Sequence, residues 1–157
     1  MRLTAHFTLE ELTASTKAKQ LHIDNTPSPE HIANLQELAD KILEPLRVAW
    51  GSPIIVSSGY RGYKLNQAVK GSTTSAHCYG LAADLVPYNG DIRGFKAFVR
   101  NFLHRSNIAY DQYIDEKDTK GSEWVHVGIR NRQGKQRHQD LFTLDAKHYN
   151  PLPKWIG

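Results

Sequence analysis

Two short segments of the chain carry residue types that could perform metal-dependent chemistry. The first supplies the imidazole of His77 and the carboxylate of Asp84, and the second supplies Glu123 and the imidazole of His126. Two imidazoles and one carboxylate, with one position left open, suit a catalytic zinc ion. A nearby carboxylate that is not a ligand can accept a proton from the attacking water. If these four side chains converge, the sequence predicts a metal-dependent hydrolase.

The second segment is predicted to form a strand over residues 124–129. Alternation along a strand places Trp124, His126 and Gly128 on one face, and the valine and isoleucine residues on the other. The valine and isoleucine face is typical of a core, so the face of His126 is expected to border a cleft. Gly128 leaves room there for a ligand to approach.

The general base is harder to place than the ligands. Glu123 precedes His126 by three positions, and an offset of three on a strand points two side chains to opposite faces. Glu123 therefore reaches the cleft only if the chain bends at residues 121–122. Asp111 and Glu116 are alternative candidates for the base, although Glu116 falls in the polar connection predicted over 116–121.

The elements that must position these residues predict an α+β fold, with helices first and then a small, mainly antiparallel sheet. Thr8 and Glu11 have the spacing of a capping box, and Ser28 and Pro29 begin a long amphipathic helix with Pro45 inside it, where a kink or an end is expected. Two further helices are predicted over 64–70 and 91–105. The predicted strands span 54–58, 80–86, 110–115 and 124–129.

Length and composition are typical of one globular domain. The chain has 157 residues, of which 39% are hydrophobic and 23% charged. We expect a single domain over 1–157, with a core of about 7–130 and a C-terminal extension over 131–157. No apolar run is long enough for a membrane span, and the N-terminus lacks the pattern of a signal peptide, so we expect a monomer that is cytoplasmic as synthesised and not inserted into a membrane.

The single cysteine and the net charge add little to the functional hypothesis. Cys78 is the only cysteine, which excludes an intrachain disulfide, and its position next to His77 argues against both residues reaching one metal. The formal net charge of +4 favours an anionic partner only weakly. No nucleic-acid partner is expected, since the chain has no basic helix or aromatic platform.

Four segments together resemble the M15 zinc peptidases, in the same order along the chain. They are Ser57–Arg61, Ser75–Asp84, Asp111–Ile114 and Trp124–His126. The second contains a Ser-x-His-x-x-Gly-x-Ala-x-Asp pattern, which is specific in this context. The resemblance covers about residues 7–129 and implies a fold like that of the D-Ala-D-Ala peptidases and the hedgehog domain.

The resemblance implies a zinc cofactor held by His77, Asp84 and His126. It also implies Glu123 as the general base, Arg61 as a catalytic and substrate-binding residue that steadies the oxyanion, and Ser75 near the substrate. The implied substrate is a peptidoglycan stem peptide, cut either by a D-Ala-D-Ala carboxypeptidase or by an L-alanyl-D-glutamate endopeptidase of the kind found in phage lysins. Such an enzyme would act on the cell wall after release or export. The alternative is a metal-binding recognition or virion-attached module without peptidase activity.

Overall fold

The computed structural model describes residues 1–157 and contains one six-stranded sheet with strand order β1-β2-β4-β3-β5-β6. The strands are β1 (Ile54–Ser58), β2 (Ala82–Pro87), β3 (Gln112–Lys117), β4 (Glu123–Gly128), β5 (Gln139–Thr143) and β6 (Asn150–Pro151). Every neighbouring pair is antiparallel except β3 and β5, which are parallel. The predicted α+β fold with a mainly antiparallel sheet is confirmed.

Six α-helices precede or interrupt the sheet. They are α1 (Leu9–Thr13), α2 (Thr16–Gln20), α3 (Pro29–Leu38), α4 (Glu44–Trp50), α5 (Tyr63–Ala68) and α6 (Ile92–Arg105). The capping box predicted at the first helix is present, because the Thr8 side chain accepts from the Glu11 N–H and the Glu11 carboxylate accepts from the Thr8 N–H. No helix is long and apolar enough to cross a membrane.

The long helix predicted around Pro45 is divided by a turn of π-helix. A π-helical turn over Ala39–Leu43 joins α3 to α4, and Pro45 follows it within the first turn of α4. Proline cannot donate a helical hydrogen bond and its ring crowds the preceding turn, so a widened turn accommodates it without ending the helix. Ile42, Leu43 and Leu46 remain fully buried across the junction.

The hydrophobic core lies on one face of the sheet. Phe95 and Val99 of α6 pack in the same buried cluster as Val125 and Val127 of β4, together with leucines of α3 and α4. Because successive side chains of a strand point to opposite faces of the sheet, the residues between these core positions of β2 and β4 lie on the other face. That opposite face carries Asp84 and His126.

Candidate metal centre

His77, Asp84 and His126 converge, as their residue types and order predicted. One carboxylate oxygen, Oδ1 of Asp84, lies 3.2 Å from Nε2 of His77 and 3.1 Å from Nδ1 of His126. One ligand atom from each of the three residues lies within 4.8 Å of the others, and all three residues are buried. The group could therefore hold a metal ion, with two imidazole nitrogens and one carboxylate oxygen as ligands.

A short helical turn and a backbone carbonyl orient His77. The residue lies in a 3₁₀ turn over Ala76–Tyr79, whose first N–H groups are capped by the hydroxyl of Ser75. Nδ1 of His77 lies 2.7 Å from the carbonyl oxygen of Gly59, which accepts its proton. This hydrogen bond from Nδ1 fixes the tautomer and leaves the Nε2 lone pair free for a metal.

Gly80 connects this turn to the strand that carries Asp84. Gly80 has φ of 74°, in the left-handed region, and a Cβ placed there would lie 2.7 Å from the carbonyl oxygen of His31. Only glycine satisfies both constraints. The chain then enters β2, where Asp84 is the register partner of His126 on β4.

The electrostatics of the three residues suit a bound cation. Burial lowers the pKa of His77 despite the charge of Asp84, so this imidazole is neutral. Burial opposes ionisation of Asp84, but the hydrogen bond to His126 holds the pKa of that carboxyl well below its usual range. Burial is the largest single effect on His126 and lowers its pKa, but the hydrogen bond to Asp84 and the charges of Asp84 and Glu116 together raise it. Asp84 therefore stays anionic, and its negative charge suits a bound cation.

The structure does not bring Glu123 to these three residues. Its carboxylate lies on the α6 face of the sheet, where Oε1 is 2.8 Å from the ammonium of Lys96 and 3.9 Å from that of Lys117. The hydrogen bond from Lys96 lowers the pKa of Glu123. The chain does not bend at residues 121–122 in the way a contact would need, because Glu123 is already paired with Lys117 at the start of β4.

Glu116 occupies the position that Glu123 was expected to fill. The strand β3 extends to Lys117, so Glu116 is a strand residue and pairs with Trp124, two positions from the Ile114–His126 pair. Glu116 therefore shares the face of His126. It is only 6% exposed, and burial, reinforced by the charge of Asp84, raises its pKa. A carboxyl with a raised pKa beside a metal site is suited to act as a general base.

Asp111, the other alternative candidate for the general base, forms an ion pair with Arg137. Its two carboxylate oxygens accept from Nε and Nη2 of Arg137 at 2.7 and 2.8 Å, and Oδ1 also accepts from the Arg137 backbone N–H. The residue is 2% exposed and precedes β3 at the end remote from Glu116. Asp111 thus anchors the segment after residue 130 to the sheet.

Arg61 and Ser75 lie beside the three converging residues. The Arg61 guanidinium is 3.4 Å from the hydroxyls of Ser58 and Ser75, and its backbone N–H donates to the carbonyl of His77. No carboxylate pairs with Arg61, and its charge lowers the pKa of His77, after the larger effect of burial. An uncompensated guanidinium at this place could bind a carboxylate or a developing oxyanion.

Comparison with known protein families agrees with this geometry. The sequence model of one family, Peptidase M15, matches residues 5–127. The chain belongs to the peptidase M15 family. Membership in the peptidase M15 family indicates a metallopeptidase, and no similar protein was found among curated proteins.

The match to peptidase M15 ends at residue 127, within β4, so β5 and β6 lie outside it. Neither strand was predicted, because the residues after Arg130 show little periodicity. From that segment Tyr149 reaches the site, and its hydroxyl donates to Oε1 of Glu116 at 3.2 Å. No spacing in the sequence connects residues 33 positions apart, and only the parallel pairing of β5 with β3 brings them together.

Proposed function

We propose that this chain is a zinc-dependent amide hydrolase of peptidoglycan stem peptides, with Glu116 as the general base. The observation that carries the proposal is the convergence of His77, Asp84 and His126 beside a second buried carboxylate on the same sheet face. Zinc is the proposed metal because M15 peptidases are typically zinc-dependent and two imidazoles with one carboxylate suit it. When bound, zinc would supply Lewis-acid activation of a water and of the scissile carbonyl.

Three side chains, those of Glu116, Arg61 and Ser75, have the remaining roles in the proposed reaction. Glu116 accepts the proton of the attacking water and returns it to the leaving amine, a role favoured by its raised pKa. Arg61 donates to the oxygen on which negative charge develops, and it does so from a half-buried position with no competing carboxylate. Ser75 holds both the guanidinium of Arg61 and the turn that carries His77.

A groove beside Arg61 supports a substrate that is rich in carboxylates. The groove has a volume of about 450 Å³ and runs between α2 and the end of β1. Its lining includes the cations of Lys17, Lys19 and Arg61, several serine hydroxyls and no acidic side chain. Stem peptides carry carboxylates along their backbone, and a groove with this charge would hold them by complementary electrostatics.

A larger cavity on the other face of the sheet does not serve this reaction. It has a volume of about 810 Å³ and lies on the α6 face, where Lys96, Asp115 and Glu123 line it. Lys96 is paired with both of these carboxylates there, at 2.6 and 2.8 Å. Because the sheet separates this cavity from His126, we assign the substrate to the groove at Arg61.

Digestion of purified muropeptides, followed by mass spectrometry, tests the proposal. Zinc-loaded protein should release products that are absent after treatment with a chelator and that return when zinc is restored. Loss of a terminal D-Ala would identify a carboxypeptidase, and release of L-Ala from D-Glu would identify an endopeptidase. Zinc binding without cleavage of any muropeptide would refute the enzymatic proposal and favour a recognition module.

A further inference from the structure

The segment between β5 and β6 is held in one conformation by Asp145. Oδ1 of Asp145 accepts from the backbone N–H groups of Lys147 and His148 at 2.9 and 2.8 Å, and from the hydroxyl of Thr143 at 3.1 Å. Oδ2 lies 2.6 Å from Nδ1 of His148. Several short polar contacts to one carboxylate define the turn that ends at Tyr149. This turn therefore determines the position of the Tyr149 side chain.

The phenol of Tyr149 enters the site from this turn. Its hydroxyl donates to Oε1 of Glu116 at 3.2 Å, and the alternative acceptor is the carbonyl of Ala146 at 3.3 Å. The residue is 47% exposed, whereas Glu116 is 6% exposed. The ring thus lies at the surface while its hydroxyl reaches a buried carboxylate. Because Glu116 shares the sheet face of His126, the phenol borders that same face.

We propose that Tyr149 is a positioning residue that holds Glu116 in its catalytic orientation. The proposal rests on the proposed role of Glu116 as general base. A glutamate has three rotatable side-chain bonds, and a base must lie within hydrogen-bond reach of the water that it deprotonates. One hydrogen bond to Oε1 restricts the carboxylate and leaves Oε2 for that water. The C-terminal segment, which the family match does not cover, thereby takes part in the reaction.

The direct test is Tyr149→Phe, which removes only the hydroxyl. Burial of the hydroxyl and the charge of Glu116 raise the pKa of Tyr149, so the wild-type phenol is a donor at neutral pH. Loss of this donor should lower kcat by about tenfold with little change in KM, because the substrate groove is intact. Zinc content should stay at the wild-type level, and thermal stability should fall only slightly at neutral pH, because the buried Glu116 carboxylate loses one hydrogen-bond donor. Tyr88→Phe, at a residue that is 72% exposed, is the matched control and should leave kcat unchanged.

The pH profile separates positioning from a merely structural role. The groups that face Glu116 are Asp84 from β2, His126 and Trp124 from β4, and Tyr149. The hydrogen bond from Tyr149 lowers the pKa of Glu116, against the larger effect of burial. Its removal should therefore move the acidic limb of kcat/KM to higher pH. In a Glu116→Gln background, Tyr149→Phe should cause no further loss, as expected for two residues that act together.

A measurement without substrate keeps this proposal distinct from the proposed function. The titration of the Glu116 carboxyl can be followed by carbon-13 NMR in zinc-loaded protein, and its pKa should be higher in Tyr149→Phe than in wild type. If wild type cleaves no stem peptide, the proposed function fails and the NMR comparison still decides the role of Tyr149. Unchanged kcat together with an unchanged Glu116 titration would overturn the proposal. A rise in KM alone, with the acidic limb in place, would also overturn it.

Discussion

Replacement of Glu116 by Gln should abolish most of the turnover and leave the metal in place. Gln has nearly the same shape, and its side-chain oxygen can still accept from Tyr149, but it cannot take a proton. A general base contributes about 100- to 10,000-fold to the rate, which corresponds to roughly 3 to 5 kcal/mol of the barrier. Since Glu116 is not among the three converging ligands, zinc content should equal that of wild type.

The same substitution should stabilise the metal-free protein at neutral pH. Burial raises the pKa of Glu116 in the folded state above its value in the unfolded state. At a pH between these two pKa values the folded state binds more protons than the unfolded state, so the free energy of unfolding falls as pH rises. Above the folded pKa the full penalty remains, at about 1.4 kcal/mol for each unit of difference. Glu116→Gln removes this penalty. Its melting temperature should exceed that of wild type near pH 7, and this gain should vanish below the unfolded pKa.

Two matched substitutions test whether the assignment is specific. Glu123→Gln should keep wild-type turnover and lose no more than about 1 kcal/mol of stability, because Lys96 retains Asp115 as a partner. Asp111→Asn should also keep its turnover, although it weakens the ion pair with Arg137. The assay is the rate of muropeptide cleavage per bound zinc. Near-normal turnover in Glu116→Gln, with a loss of 100-fold or more in Glu123→Gln, would refute the assignment.

Three further substitutions address the remaining parts of the site. Arg61→Lys should reduce kcat by at least about tenfold at unchanged zinc content, because an ammonium does not reproduce the planar donor pair, and a wild-type rate in steady-state kinetics would contradict this role. Zinc at 1,000 times its dissociation constant should stabilise wild type by about 4 kcal/mol, whereas thermal unfolding of His77→Ala should not respond to zinc. Gly59→Ala places a Cβ 2.2 Å from the carbonyl oxygen of Leu12, which should cost about 1 to 3 kcal/mol of stability. The backbone shift should also displace the carbonyl that orients His77 and weaken zinc binding by about 10- to 100-fold in chelator competition. An unchanged zinc affinity would contradict this coupling between the Gly59 backbone and the metal site.

The sequence predicts the convergence of His77, Asp84 and His126 well because local patterns determine it. The alternation of polar and aliphatic residues around His126 predicts its face, and Gly80 marks the turn that directs His77 and Asp84 to one place. The general base depends on where a hairpin begins, and sequence patterns locate the ends of elements least well. The polar residues from Glu116 onward predict a connection, yet β3 continues to Lys117.

The register of this hairpin explains why the carboxylate nearest His126 in sequence lies away from it in space. Lys117 pairs with Glu123 and Ile114 pairs with His126, so a shift by one residue would turn every side chain of β4 to the other face. That shift would expose Val125 and Val127, which are fully buried. The core therefore fixes Glu123 on the α6 face, where its negative charge balances the buried ammonium of Lys96.

The same sheet thus gives two carboxylates opposite environments, and the difference assigns their roles. Glu123 is paired with a cation and its pKa is lowered, so it is a weak proton acceptor. Glu116 is buried near the anionic Asp84 and its pKa is raised, so it binds a proton more readily at the pH where Asp84 remains charged. When their surroundings shift the pKa values of two carboxyl groups in opposite directions, the group with the raised pKa is the one suited to exchange protons during a reaction. The chemistry proposed for the face of His126 therefore depends on Glu116, whereas Glu123 pairs with Lys96 on the opposite face.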